Sequence, residues 1–111
     1  MPTRIINPSS RDVEFDFDKD TADSVLQIIV PGETIIKISI QVTEAFEVAK
    51  VITVGVPANH SKFVSVSDID LTITNVYEVS QYYTVVTSET LSFFASGASA
   101  TGAGKIFVEF L

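Results

Sequence analysis

Thr34-Ile35-Ile36-Lys37-Ile38-Ser39-Ile40-Gln41-Val42 decides the fold. Ile36, Ile38, Ile40 and Val42 take every second position, and Lys37, Ser39 and Gln41 fill the places between. Side chains alternate sides along an extended chain, so this period predicts a strand with one buried and one wet face. The same pattern recurs on both sides of it. Ile52, Val54 and Val56 alternate within Lys50 to Val56. Val13, Phe15 and Phe17 alternate with Glu14, Asp16 and Asp18; Leu91, Phe93 and Ala95 with Ser92 and Phe94; and Ile106, Val108 and Phe110 close the chain. Less regular runs are Val25 to Val30, Tyr82 to Thr87 and Phe63 to Val66. These make about eight strands by the pattern rule.

Helical signals are weak. Ala45, Phe46 and Ala49 allow a connector or a short helix within Thr43 to Lys50. Pro31-Gly32 predicts a tight turn, Pro57-Ala58-Asn59-His60 a loop, and the small residues of Ser96 to Gly104 a flexible connection between the last two strands. Short strands joined by turns imply a two-sheet sandwich or a barrel. No internal repeat or linker interrupts residues 1–111, which predicts one domain, with residues 1–12 as an N-terminal arm. The apolar pattern runs to Leu111, so the last strand is expected to be held in a sheet.

Composition excludes several functions. The 111 residues carry 7 basic and 14 acidic side chains, a net charge of −7. A surface of that sign repels phosphate backbones, so no nucleic-acid partner is expected. Cysteine is absent, which removes disulfides, thiol nucleophiles and thiolate metal sites. No 18-residue apolar run spans a membrane, and no basic segment followed by an apolar one marks a signal peptide. At 46% hydrophobic residues the chain has enough apolar surface for one core.

Some strands carry apolar residues on their second face as well: Val25 and Ile29, Tyr82 and Val86, Phe107 and Leu111. A sandwich of this size leaves one face of each sheet in water. Such residues therefore predict a subunit interface. The plainer alternatives are edge positions, or a strand phase displaced by one residue. Residues 11–23 hold six acids (Asp12, Glu14, Asp16, Asp18, Asp20, Asp23) against Arg11 and Lys19, a local charge of −4. They form either a docking face for a basic partner or an ordinary solvated face.

Motifs for chemistry fail on spacing. Asp16-Phe17-Asp18-Lys19-Asp20 begins like a calcium loop, but Thr21 stands where glycine is needed and Gln27 where glutamate is. Asp68 and Asp70 lie on the same side of an extended chain, unlike carboxylates opposed across a sugar, and suit turn bracing better. His60 is the only histidine and has no Gly-x-Ser-x-Gly elbow to serve. Gly102-Ala103-Gly104-Lys105 is followed by Ile106 rather than the hydroxyl and helix of a phosphate loop. Tyr82 and Tyr83 are adjacent, so one of them must face outward. No catalytic residue, cofactor or metal is assigned.

Order and spacing carry a resemblance. Val30-Pro31-Gly32-Glu33-Thr34-Ile35 leads into the long strand, and Val42-Thr43-Glu44-Ala45-Phe46 ends it. Val51-Ile52-Thr53-Val54-Gly55, Asp68-Ile69-Asp70-Leu71-Thr72 and Tyr77 follow, then Ala100-Thr101-Gly102-Ala103-Gly104 and Ile106-Phe107-Val108-Glu109-Phe110. From about Val13 to Leu111 this succession resembles small β-rich virion proteins of tailed bacteriophages, which decorate capsids or build head and tail fibres, often as trimers. Two departures stand out: Thr74-Asn75-Val76 replaces the family's glycine before the tyrosine, and Phe110 its final tyrosine.

The resemblance implies an all-β, antiparallel β-sandwich of jelly-roll kind. It implies a non-enzymatic capsid-decoration or head-fibre protein made in the host cytoplasm and carried on the virion. Its expected partners are itself, as a homotrimer, and other virion proteins such as the major capsid protein. Two rivals are a tail adhesin binding glycans through Tyr82, Tyr83 and residues 57–62, and a small hydrolase using Asp68 and Asp70.

Overall fold

The computed structural model describes residues 12–111; the expected arm lies, up to Arg11, outside the described residues. Eight strands follow one another: β1 (Val13–Asp18), β2 (Ser24–Ile29), β3 (Thr34–Glu44), β4 (Val51–Val56), β5 (Asn59–Val64), β6 (Asn75–Thr84), β7 (Glu89–Ser96) and β8 (Ala103–Phe110). They form two four-stranded antiparallel sheets, sheet A in the order β1-β8-β3-β6 and sheet B in the order β2-β7-β4-β5. First pairs with last, second with seventh, third with sixth and fourth with fifth. This is one long hairpin folded back into two packed sheets, the sandwich rather than the barrel among the two outcomes that short strands joined by turns imply.

The inward faces meet as the alternation requires. Ile38, Ile40 and Val42 of β3 and Ile106, Val108 and Phe110 of β8 are buried against Ile52 and Val54 of β4 and Leu91 and Phe93 of β7. Phe93 is the hub: its ring centroid lies 5.3 Å from that of Phe15 and 5.4 Å from that of Phe17. Each such fully buried side chain stabilises by about 1.5–3 kcal/mol. β3 is paired on both sides, so its Lys37, Ser39 and Gln41 form the middle of the outward face of sheet A.

Several expectations are corrected. First, Ile36 is not in the core row; Ile35 is buried in its place. A bulge between Ile35 and Lys37, against both β6 and β8, changes the phase of β3. Second, Ile29 does not face outward. An extra residue in β2 between Val25 and Gln27 flips the alternation, so Val25 points out while Ile29 is fully buried. Third, the strand expected at Tyr82 to Thr87 is the longer β6, ending at Thr84, and His60 lies in β5 beyond a two-residue turn. Thr43 to Lys50 contains no helix; the one helical element among the described residues is a 3₁₀ turn at Val66–Asp68.

Hydrogen bonds gather the connections at two ends. At one end, Lys19 N donates to Gly102 O (3.0 Å), Phe46 N to Leu71 O (2.8 Å) and Glu47 N to Ser99 Oγ (2.9 Å). At the other, Gly32 N donates to Val85 O (3.0 Å), Val85 N to Glu33 O (2.8 Å) and Leu111 N to Thr34 O (2.8 Å). This second end therefore collects the β2–β3 turn, the β6–β7 turn and Leu111.

Candidate assembly surfaces

The two outward faces differ in chemistry. On sheet A, Lys105 of β8 lies 3.3 Å from Glu14 and 3.6 Å from Asp16 of β1, and Lys37 of β3 lies 3.3 Å from Glu78 of β6 and 3.4 Å from Glu109 of β8. These pairs sit at or beside register partners and raise both lysine pKa values, chiefly through the hydrogen bonds from Lys105 to Glu14 and from Lys37 to Glu78. Phe107 lies between them, opposite Glu14 and Ser39, in a shallow groove that includes Asp12 and Glu109.

On sheet B, register places Val25 beside Ser92 and Ser92 in turn beside Gly55, Ile28 beside Thr90, Phe94 beside Thr53, and Val51 beside Ser96. None of these outward residues of β2, β7 and β4 is Asp, Glu, Lys or Arg. His60 of β5 lies flat on Phe94, ring centroids 3.7 Å apart and planes 5° from parallel. Gly55 permits this crowding, because a Cβ there would stand 2.3 Å from Asn59 O.

The six expected interface residues do not share one patch. Phe107 is on sheet A, Val25 on sheet B, and Ile29 in the core. Tyr82, Val86 and Leu111 lie towards the second end, with exposures of 74%, 81% and 59%. Ile28 and Val30 also prove exposed. The β2 bulge that buries Ile29 is what exposes Ile28. Sequence periodicity without the bulge could not find it.

Glu14, Asp16, Asp18, Asp20 and Asp23 of the expected acidic face have partners within the chain. Glu14 and Asp16 pair with Lys105, and Asp20 with Lys19 (2.6 Å). Asp18 braces the β1–β2 turn by accepting from Asp20 N (2.9 Å) and Thr21 Oγ1 (3.1 Å), bonds that hold its carboxyl below the usual range. Asp23 accepts from Ala95 N (2.9 Å). Asp12 stands at the start of β1, beside the Phe107 groove.

The other candidates also have structural duties. Asp68 Oδ2 accepts from Ser65 N (2.8 Å), and Asp70 Oδ1 from Thr72 N (3.0 Å) and the Thr72 hydroxyl, so each closes its own turn. Tyr83 turns inward. Its hydroxyl donates to Glu89 Oε1, while Lys62 Nζ donates to Tyr83 Oη (2.9 Å) and Glu89 Oε2 (3.0 Å). This cluster joins β5, β6 and β7. No local motif announces it, because 21 and 27 residues separate Lys62 from its partners. Tyr82 takes the outward place with φ +56°, a left-handed conformation costly for a bulky side chain. Gln81 Nε2 donates to Phe63 O (2.7 Å), so both neighbours of Tyr82 are fastened to β5 while its own ring is presented to solvent. Among the described residues no helix is long and apolar enough to cross a membrane, and no cluster of three metal-ligating side chains occurs.

No family model matches the chain, and no curated protein matches it. Solved structures do. A chain of the acidic stable capsid of Helicobacter pylori bacteriophage KHP30 superposes with a TM-score of 0.73 at 15% identity, covering 91% of this chain and 86% of that one. A chain of the cyanophage Pam1 capsid asymmetric unit superposes with a TM-score of 0.64 at 8% identity, covering 91% of this chain and 83% of that one. Likeness at these identities establishes a shared fold.

Proposed function

We propose that this protein is a non-enzymatic structural component of a bacteriophage virion, a capsid-decoration or head-fibre protein that joins the particle as a homotrimer. The observation that carries the reading is the fold itself: nearly the whole chain follows chains found in two phage capsid structures. The chemistry agrees. Asp68 and Asp70 are occupied in turns, and Lys62, Tyr83 and Glu89 are occupied with one another. What the surface offers instead is a sheet face whose outward residues on β2, β7 and β4 carry no charge, and exposed apolar side chains at one end, features suited to assembly. The major capsid protein is the natural partner for such a subunit. The adhesin reading loses its twin-tyrosine platform, since Tyr83 faces the core.

The test is immunogold labelling of intact particles of the phage that encodes the chain, with antibody raised against the purified protein. Regular label on the head supports the reading. Label confined to the tail tip moves it to the adhesin rival, and unlabelled particles with no peptide of the chain in their mass spectrum overturn it.

A further inference from the structure

We infer that the basic N-terminal segment of this chain, through Arg4 to Ile6, docks in the groove around Phe107 on the outward face of sheet A of the same copy. The docking is independent of the virion assignment. The groove lining includes Asp12, Glu14, Ser39, Phe107 and Glu109. Register sets Phe107 between Glu14 of β1 and Ser39 of β3, so its ring, 37% exposed, is an apolar floor in an acidic surround. The groove holds about 480 Å³, room for a few side chains and not for the broad face of a folded partner.

Charge selects the occupant. Residues 1–11 contain both arginines of the chain, Arg4 and Arg11, and no acid. The remaining residues hold five lysines and all 14 acids, so the net −7 divides into +2 and −9. The imbalance is also local. Around the groove Asp12, Glu14, Asp16, Glu78 and Glu109 are matched by Lys37 and Lys105, which leaves an excess of three acids among the described residues. An arginine fork suits carboxylates placed in this way. On an extended chain Arg4 and Ile6 share one side, so a cation and an aliphatic group arrive two residues apart, as an apolar floor ringed by acids requires.

Connection selects the same copy. Asp12 lines the groove and directly follows Arg11, so the segment enters at the groove's rim. Asn7-Pro8-Ser9-Ser10 is turn chemistry, suited to a reversal that lays Arg4 to Ile6 back over sheet A. Phe107 stands on the strand next to β1, about 5 Å away. Arg4 precedes Asp12 by eight positions, a reach of up to about 28 Å when extended. A tether this short holds the segment at an effective concentration on the order of millimolar, which a separate basic partner would have to exceed.

The chain has no cysteine, so two introduced thiols report the contact without interference. The test is the full chain carrying Thr3→Cys and Ser39→Cys, equilibrated in a glutathione redox buffer and read by mass spectrometry for a disulfide within one copy. That disulfide is expected to form, and its equilibrium constant to fall at least about fivefold when Arg4→Glu or Phe107→Ser is added. Melting curves check that each variant is folded. Phe107 lies outside the buried core and Arg4 outside the sandwich strands, so one variant keeps the inference testable if the other unfolds. Absence of the intramolecular disulfide overturns the inference, as does a disulfide formed between copies instead. A constant that either change leaves unmoved in a folded variant also overturns it, because the tether alone would then be bringing the thiols together.

Discussion

The phenol of Tyr83 donates its hydrogen to Glu89 Oε1, six residues further along the chain, and both oxygen groups are held by Lys62 from a third strand. The hydrogen bond from Tyr83, aided by Lys62, keeps the Glu89 carboxyl below its usual pKa despite opposing desolvation. A depressed folded pKa means that the unfolded chain binds the proton more readily. The contribution is therefore complete above the unfolded value, about 4.3, and is lost as pH falls through the lower folded value. Asp18 and Asp70 shift in the same direction. The melting midpoint should fall through this acid window in wild type and fall less steeply in Glu89→Gln. Tyr83→Phe should cost about 1–2 kcal/mol at pH 7 in denaturant titration. Identical acid profiles for wild type and Glu89→Gln would show that the cluster does not form.

The β3 bulge gives a paired prediction. Ile35 is fully buried and Ile36 only half so. Ile35→Ala should cost about 2–5 kcal/mol, and Ile36→Ala clearly less. Equal costs, or the reverse order, would restore the unbroken alternation. Ile38→Asp puts a charge in the middle of the central strand and should leave no cooperative unfolding transition.

Gly102 has φ +132°, and a Cβ there would stand 2.1 Å from Cδ2 of the buried Phe46 ring. Gly102→Ala should cost about 1–3 kcal/mol, read by the same titration. A neutral result would mean that the β7–β8 connection does not pack on Phe46.

Tyr82 should respond with opposite signs in two assays. Its left-handed backbone costs about 1–2 kcal/mol, which glycine does not incur. Tyr82→Gly should leave the isolated subunit at least as stable, while removing an exposed aromatic from the second end of the sandwich and weakening association. Strain retained at an exposed aromatic is the pattern expected where function outweighs stability. A variant that loses stability and keeps full association would contradict both halves.

Much of the sandwich was legible because the period-2 signal is strong where a strand has one wet face. Val13 to Phe17, Ile38 to Val42, Ile52 to Val56 and Ile106 to Phe110 all lie as their alternation predicts. The misreadings share a cause. At Ile36, and between Val25 and Gln27 ahead of Ile29, an irregularity in the pairing changes the phase, and no residue there signals a bulge. β6 was only partly read, because Glu78, Ser80 and Thr84 face solvent from an edge strand whose inward side is only half-buried. The candidate surface suffered most. Val25, Tyr82, Val86, Phe107 and Leu111 were each correctly read as outward, yet periodicity gives a side of a strand and not a side of the molecule. Only the sheet order separates Phe107 from Val25.

Absolute molar mass by light scattering, after size exclusion of the full chain at neutral pH, tests the central claim of self-assembly most directly. A stable species near three times 12.0 kDa is predicted. A single species at 12.0 kDa at every loading concentration would contradict it.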